Sequence, residues 1–288
     1  MDLRTAFSSG RRLILDGAMG TLPGMSGSDV NLTDPERVLQ AHVGYIRAGS
    51  QALITNTLRL NRCYVGYHDL AVDISAANRA GARLARQAAG ADHYVLGNIG
   101  PVGKLLDPYG EATVQGCTAA FMEQAALLAE EGVDGFIIET MMDVNEACLA
   151  VAACRHTAPS LPVMTSVVFE TAAHGGRTLM GQSAGECARK LAEEHADVIG
   201  TNCGSLTGPE LKDIIGTFRR ATSLPLLVEL NAGTPTLAHG QTRHGVGISE
   251  FVERTKDCIK SGASVVGGCC GTTPEYIAAL SKKLRAQE

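Results

Sequence analysis

Short runs of consecutive apolar residues recur along the chain, each followed by a longer stretch whose apolar positions fall three and four apart. The runs are "LILDGAMG" from Leu13, "ALITNT" from Ala52, "YVLGNIG" from Tyr94, "GFIIET" from Gly135, "PVMTSVVF" from Pro162, "DVIGTNCG" from Asp197, "PLLVELNAG" from Pro225 and "ASVVGGCCG" from Ala263. A strand that is apolar on successive positions has no wet face, which is the mark of parallel strands covered on both sides. Between them, stretches such as "DPERVLQAHVGYIRAG", "ISAANRAGARLARQAAG" and "TAAFMEQAALLAEEG" read as amphipathic helices that end on glycine. Asp34-Pro35 places a capping side chain and then proline at a first helical position. Eight strand–helix units in this order predict an α/β fold, a single (β/α)8 TIM barrel. With no Pro/Ser/Gly-rich linker to divide it, the chain reads as one domain over residues 1–288.

A barrel of this kind gathers the C-terminal ends of its strands on one face, where its chemistry is carried out. The polar residues at those ends are Asp16, Asn56, Asn98, Glu139, Asn202 with Cys203, Asn231, and Cys269 with Cys270. The adjacent cysteines are the most informative. Within a strand they would point to opposite faces, and a disulfide between neighbours is strained. At a strand end flanked by glycines the backbone is free to turn, and both thiols can face one ion together with Cys203. Thiolates are soft ligands that select zinc among common cellular metals. Three protein ligands leave a position open, as in catalytic rather than structural sites. His239 and His244, in the loop after the seventh strand, are candidates for a fourth ligand, and a redox-active thiol trio is the competing reading. The other six cysteines read as small buried hydrophobes.

Three thiolates on Zn2+ leave a formal charge of −1, so such a centre is poor at making hydroxide from water. It still deprotonates an incoming thiol and keeps that sulfur nucleophilic. The donor set therefore predicts a zinc site at the C-terminal face suited to alkyl transfer onto a substrate thiol. Asp16 opens a glycine-bearing loop that could hold both ends of an amino acid, the ammonium on the carboxylate and the carboxylate on backbone N–H groups. A turn or N-cap aspartate is the plainer reading. Glu139 closes a wholly apolar strand and would be costly there without a cationic partner, either a ligand ammonium or a neighbouring arginine. Asn202 and Asn231 are candidates for orienting loops or ligands.

Composition narrows the remaining classes. Of 288 residues 45% are hydrophobic and 19% charged, with a formal net charge of −5. The acidic balance and the lack of a basic aromatic patch point away from nucleic acid. No apolar stretch approaches a signal core or a membrane span, and nine cysteines without regular spacing fit a reducing, cytoplasmic setting. Tryptophan is absent, which disfavours an aromatic cage for a quaternary ammonium, though Tyr64, Tyr67 and Tyr109 partly compensate.

The segments "ILDGAMGT", "ITNT", "GNIGP", "IIET", "GTNCG", "NAGTP" and "GGCCGTTPEYI" occur in the order found in the homocysteine S-methyltransferase family, which the chain resembles from about Leu13 to Leu284. The likeness points most closely to the homocysteine-binding barrel of cobalamin-dependent methionine synthases. It implies zinc on Cys203, Cys269 and Cys270. It also implies that the amino-acid end of homocysteine is held by Asp16 and Glu139, by backbone groups around Gly17, Gly20 and Thr21, and with Asn231 close by. The product implied is methionine. The methyl donor is a methylated corrinoid protein or a small sulfonium compound. The chain has no Asp-x-His-x-x-Gly corrinoid signature, so a corrinoid is expected on a separate protein. Three departures stand out: "GSQALITNT" where an acidic residue usually precedes the second strand, Leu230 in "ELNAG" where proline is usual, and Leu58 followed by the distinctive "RLNRCYVGYHDL". Alternatives are another thiol acceptor, a component of a demethylation pathway, or a zinc-binding partner subunit without catalysis.

Overall fold

The computed structural model describes residues 2–8, 10–25, 27–172, 176–204, 206–238 and 241–286. Among the described residues there are ten strands: β1 Leu13–Ile14, β2 Ala52–Ile54, β3 Tyr94–Ile99, β4 Gly135–Met141, β5 Val163–Val167, β6 Val198–Asn202, β7 Leu226–Leu230, β8 Pro235–Ala238, β9 Gln241–His244 and β10 Ala263–Gly268. Eight form one parallel sheet in the order β1-β10-β7-β6-β5-β4-β3-β2, the order of a barrel wound once around. The seam between β1 and β2 is closed mainly by side chains. Gln51 donates its N–H to the Ile14 carbonyl at 2.7 Å, and its Oε1 accepts the Ile14 N–H at 2.8 Å. Asp16 Oδ2 accepts the Ile54 N–H at 3.0 Å. The (β/α)8 barrel expected from the apolar runs is therefore the fold observed.

Helices lie outside, between successive strands. That over Pro35–Ala48 begins as the sequence predicts: the Asp34 carboxylate accepts the Arg37 N–H at 3.3 Å, and the helix ends at Gly49 with φ of 99°. A short helix, Leu3–Ser8, closes the bottom of the barrel by placing Leu3 in the inner core.

Side chains alternate between the two faces of each strand. Leu96, Ile137, Met164, Leu227 and Val265 fill the barrel interior as an apolar layer. Two residues further along the same strands come Asn98, Glu139, Ser166, Glu229 and Gly267, so the next inward layer is polar, with glycine leaving space. That layer is the floor of the cavity described below. One element was not foreseen: the loop after β7 folds into the antiparallel hairpin β8–β9. Among the described residues no helix is long and apolar enough to cross a membrane.

Candidate metal and substrate site

Cys203 follows β6 in a left-handed conformation, with φ of 55°. Cys269 and Cys270 follow β10, where Gly271 has φ of 79° and the His244 ring lies so close that a Cβ at Gly271 would collide with it. These turns bring the three sulfurs within 4.8 Å of one another. Cys203 Sγ lies 3.8 Å from Cys270 Sγ. Sulfurs on a tetrahedral zinc with bonds of about 2.3 Å stand about 3.8 Å apart, so the spacing fits that ion. All nine cysteines are free, and four of the remaining six are buried.

The protonation of the trio points the same way. Hydrogen bonds from Cys269 and Cys270 hold the Cys203 thiol down, to about 3. The bonds to Cys203 push Cys269 well above, and Cys270 to about 11. Hydrogen bonds within the trio favour one thiolate at the expense of the other two thiols; a divalent cation would allow all three to ionise. His244 does not join them: its Nδ1 faces the Gly233 carbonyl at 3.0 Å. His239 lies outside the described residues.

Beside the sulfurs is a cavity of about 300 Å3, lined among others by Gly17, Met19, Gly20, Thr21, Leu58, Arg59, Asn98, Glu139, Glu229 and the three cysteines. Glu139 sits at an irregularity in the β4–β5 pairing between Ile138 and Met141, and the next residue, Thr140, has φ of 65°. A β-branched residue rarely adopts that conformation. Asn202 holds it there. Its Oδ1 accepts the Thr140 N–H at 2.9 Å, and its amide donates to Thr140 Oγ1 at 2.9 Å and to Glu139 Oε2 at 3.2 Å. The Asn98 amide donates to Glu139 Oε1 at 2.6 Å. Glu139 thus has two neutral amides and, among its hydrogen bonds, no arginine. Burial raises its pKa to about 7; the Asn98 bond opposes the rise and the charge of Cys203 adds to it.

Asp16 is wholly buried, and its second oxygen, Oδ1, has no hydrogen-bond partner among the described residues. Burial pushes its pKa well up, against the Ile54 N–H and with Glu139 adding to the rise. In the following loop the N–H of Ala18 goes to Thr272 Oγ1 at 3.1 Å. Those of Met19, Gly20 and Thr21 find no acceptor among the described residues and are available to an anion. Gly17 has to be glycine, because a Cβ would meet Thr272 Oγ1 at 2.7 Å and Tyr45 at 2.9 Å. The Thr21 hydroxyl accepts the Gly271 N–H at 3.0 Å, which ties this loop to the cysteine pair. Asn231 is not in the lining of this cavity, but its side chain hydrogen-bonds the Cys203 sulfur. Its amide donates to the Gly204 carbonyl at 2.6 Å, and it lines a second cavity that Cys203 separates from the first.

Sequence reading missed Glu229. It lies within "LLVEL", and the signal was there: an acid two residues after Leu227 on a strand whose neighbours are all apolar. Taken together, the site offers three convergent sulfurs, buried acids for a cation, and free N–H groups for an anion.

The sequence profile of the homocysteine S-methyltransferase family matches residues 13–284. Methionine synthase of Mycobacterium tuberculosis is 31% identical over 294 residues, covering 93% of this chain and 24% of that protein. That of Mycobacterium leprae is 31% identical over 292 residues with the same coverage. The chain therefore spans about a quarter of the length of these relatives. In fold it is similar to the metallated form of the homocysteine methyltransferase MmuM from Escherichia coli, with a TM-score of 0.79, 23% identity, and coverage of 98% of this chain and 99% of that one. By the extent of the profile match and the identity to its relatives, the chain belongs to the homocysteine S-methyltransferase family.

Proposed function

We propose that this barrel is a zinc-dependent S-methyltransferase that converts homocysteine to methionine, taking the methyl group from a methylated corrinoid protein or a small sulfonium compound. The observation that carries the reading is the convergence of Cys203, Cys269 and Cys270 within 4.8 Å at the edge of an acid-floored cavity. Bound by these sulfurs, zinc supplies the positive charge that lets an incoming thiol ionise near neutral pH.

The chain's own residues do the positioning. Glu139 and Asp16 receive the ammonium of the amino acid, and the free N–H groups of Met19, Gly20 and Thr21 receive its carboxylate. With both ends fixed, the thiol side chain is directed to the cysteine trio. Met19, Met25, Leu58 and Leu60 line the same cavity and offer an apolar wall for the methyl group. In the transfer the thiol gives its proton to solvent, the sulfur lone pair forms the new S–CH3 bond, and the donor atom leaves with the electrons of its own methyl bond. Orientation of the two reactants is the main contribution the protein makes beyond ionising the thiol.

The test is turnover of purified, zinc-loaded protein with homocysteine and each donor in turn, followed as methionine formed. Methionine from one donor and none from the metal-stripped protein is the expected result. Failure with every donor, or equal turnover without metal, overturns the reading.

A further inference from the structure

Glu229 lies in the cavity floor with 2% of its surface exposed, and its Oε2 has no hydrogen-bond partner among the described residues. Its placement follows from the alternation along β7: Leu227 belongs to the inner apolar layer, so the residue two further on also points inward. In the ladder it stands beside Asn202 on β6 and Gly267 on β10. A Cβ on Gly267 would come within 3.0 Å of the Asp16 carbonyl and Leu15 Cβ, so the glycine admits the close approach of the first strand, while Glu229 Cγ lies at an ordinary contact distance of 3.4 Å.

Around this floor the unsatisfied side-chain atoms are all of one kind. Asn98 Oδ1 and Glu229 Oε2 in the lining, and Asp16 Oδ1 behind it, are buried side-chain acceptors without donors, while among the described residues no cavity-lining side chain carries an orphaned buried donor. Burying a carboxyl without a partner is costly. Such a cluster is complementary to a group that is only a donor and carries several N–H bonds.

We infer that Glu229 is a third carboxylate contact for the acceptor's ammonium, so that the cavity selects a thiol bearing a free primary amine. This rests on the acceptor reading above. A primary ammonium points three N–H bonds away from its carbon, and Glu139, Asp16 and Glu229 take one each. An amine carrying an extra substituent has only two N–H bonds and leaves one acid orphaned; a thiol without the amine leaves all three.

The test compares homocysteine with its des-amino analogue, 4-mercaptobutanoate, by calorimetry on the zinc-loaded wild type and the Glu229→Gln variant. Loss of one charge-assisted hydrogen bond weakens homocysteine about ten- to a hundredfold, with the analogue's affinity and the zinc content unchanged. Without ligand, the thermal midpoint of Glu229→Gln holds or rises, because a costly buried carboxyl has gone; a residue kept for the fold alone would lower it. If Gln prevents folding, Glu229→Asp withdraws the carboxylate by one methylene and is expected to weaken homocysteine selectively. Equal losses for both ligands, or unchanged homocysteine affinity, overturn the inference while leaving the acceptor assignment standing. A wild type that does not distinguish the two ligands removes both.

Discussion

The Asp16 carboxylate accepts the main-chain N–H of Ile54 at 3.0 Å, across the seam where β1 and β2 meet. One oxygen thus completes the barrel while the other is buried without a hydrogen-bond partner among the described residues, and it is this second oxygen that the proposed function assigns to the ammonium. Asp16→Ala should leave the Ile54 N–H without its acceptor and cost about 1–3 kcal/mol in chemical denaturation. Asp16→Asn retains an acceptor for that N–H and should keep the fold, yet weaken homocysteine binding about tenfold or more. Equal stability for Ala and wild type would show that the seam does not depend on this bond.

Single Cys203→Ser, Cys269→Ser and Cys270→Ser variants are each expected to lose most of the bound zinc and nearly all turnover while remaining folded. Cys63→Ser, away from the trio, should retain both. Elemental analysis beside circular dichroism decides it; normal zinc in all three variants would place the metal elsewhere.

Proton release provides an independent measure. Homocysteine binding to the zinc form should release about one proton near neutral pH from the ionising thiol. Glu139, held at about 7 by burial, should give up its remaining proton when an ammonium arrives and lowers its pKa. Calorimetry in buffers of different ionisation enthalpy yields the count. The count should fall in Glu139→Gln, which keeps the shape and removes the titrating group. An unchanged count would mean that Glu139 does not meet the ammonium.

Acid stability should depend on a histidine buried in one of the outer helices. His42, in the helix Pro35–Ala48, is 0% exposed with both ring nitrogens without a hydrogen-bond partner among the described residues, and burial pushes its pKa down to about 4. The folded protein thus holds the ring neutral, while the unfolded chain protonates it near the ordinary value of about 6.5. Its contribution is fully present above that value and is lost as the pH falls toward 4. By linkage the loss at pH 5 is about 2 kcal/mol relative to pH 7. Urea unfolding of wild type and His42→Leu at the two pH values isolates it: the variant should lose that much less on acidification. Equal losses would show that the ring is solvated or paired.

Much of this protein can be read from the chain. The eight strands are visible because parallel strands buried on both faces need unbroken apolar runs, and such runs tolerate polar residues only where the strand ends. That constraint alone singled out Asp16, Glu139, Cys203 and the Cys269–Cys270 pair, and the barrel's geometry gathers strand ends on one face whatever their distance in sequence.

What the sequence could not assign are relations between strands. The hydrogen-bond partners of Glu139 are amides from β3 and β6, not an arginine, because those strands flank the irregularity in the β4–β5 pairing; nothing near Glu139 in the chain names them. The Thr21 hydroxyl accepts the Gly271 N–H, a bond that exists only once β1 and β10 are neighbours. Asn231 and Glu229 are two residues apart, yet one lines the second cavity and the other the floor of the first. Local sequence determined which residues are apolar, which turn, and which carry charge. Which buried acid lacks a partner was decided only when the strands closed into a barrel, since every hydrogen bond that satisfies or orphans such a group is made across the ladder.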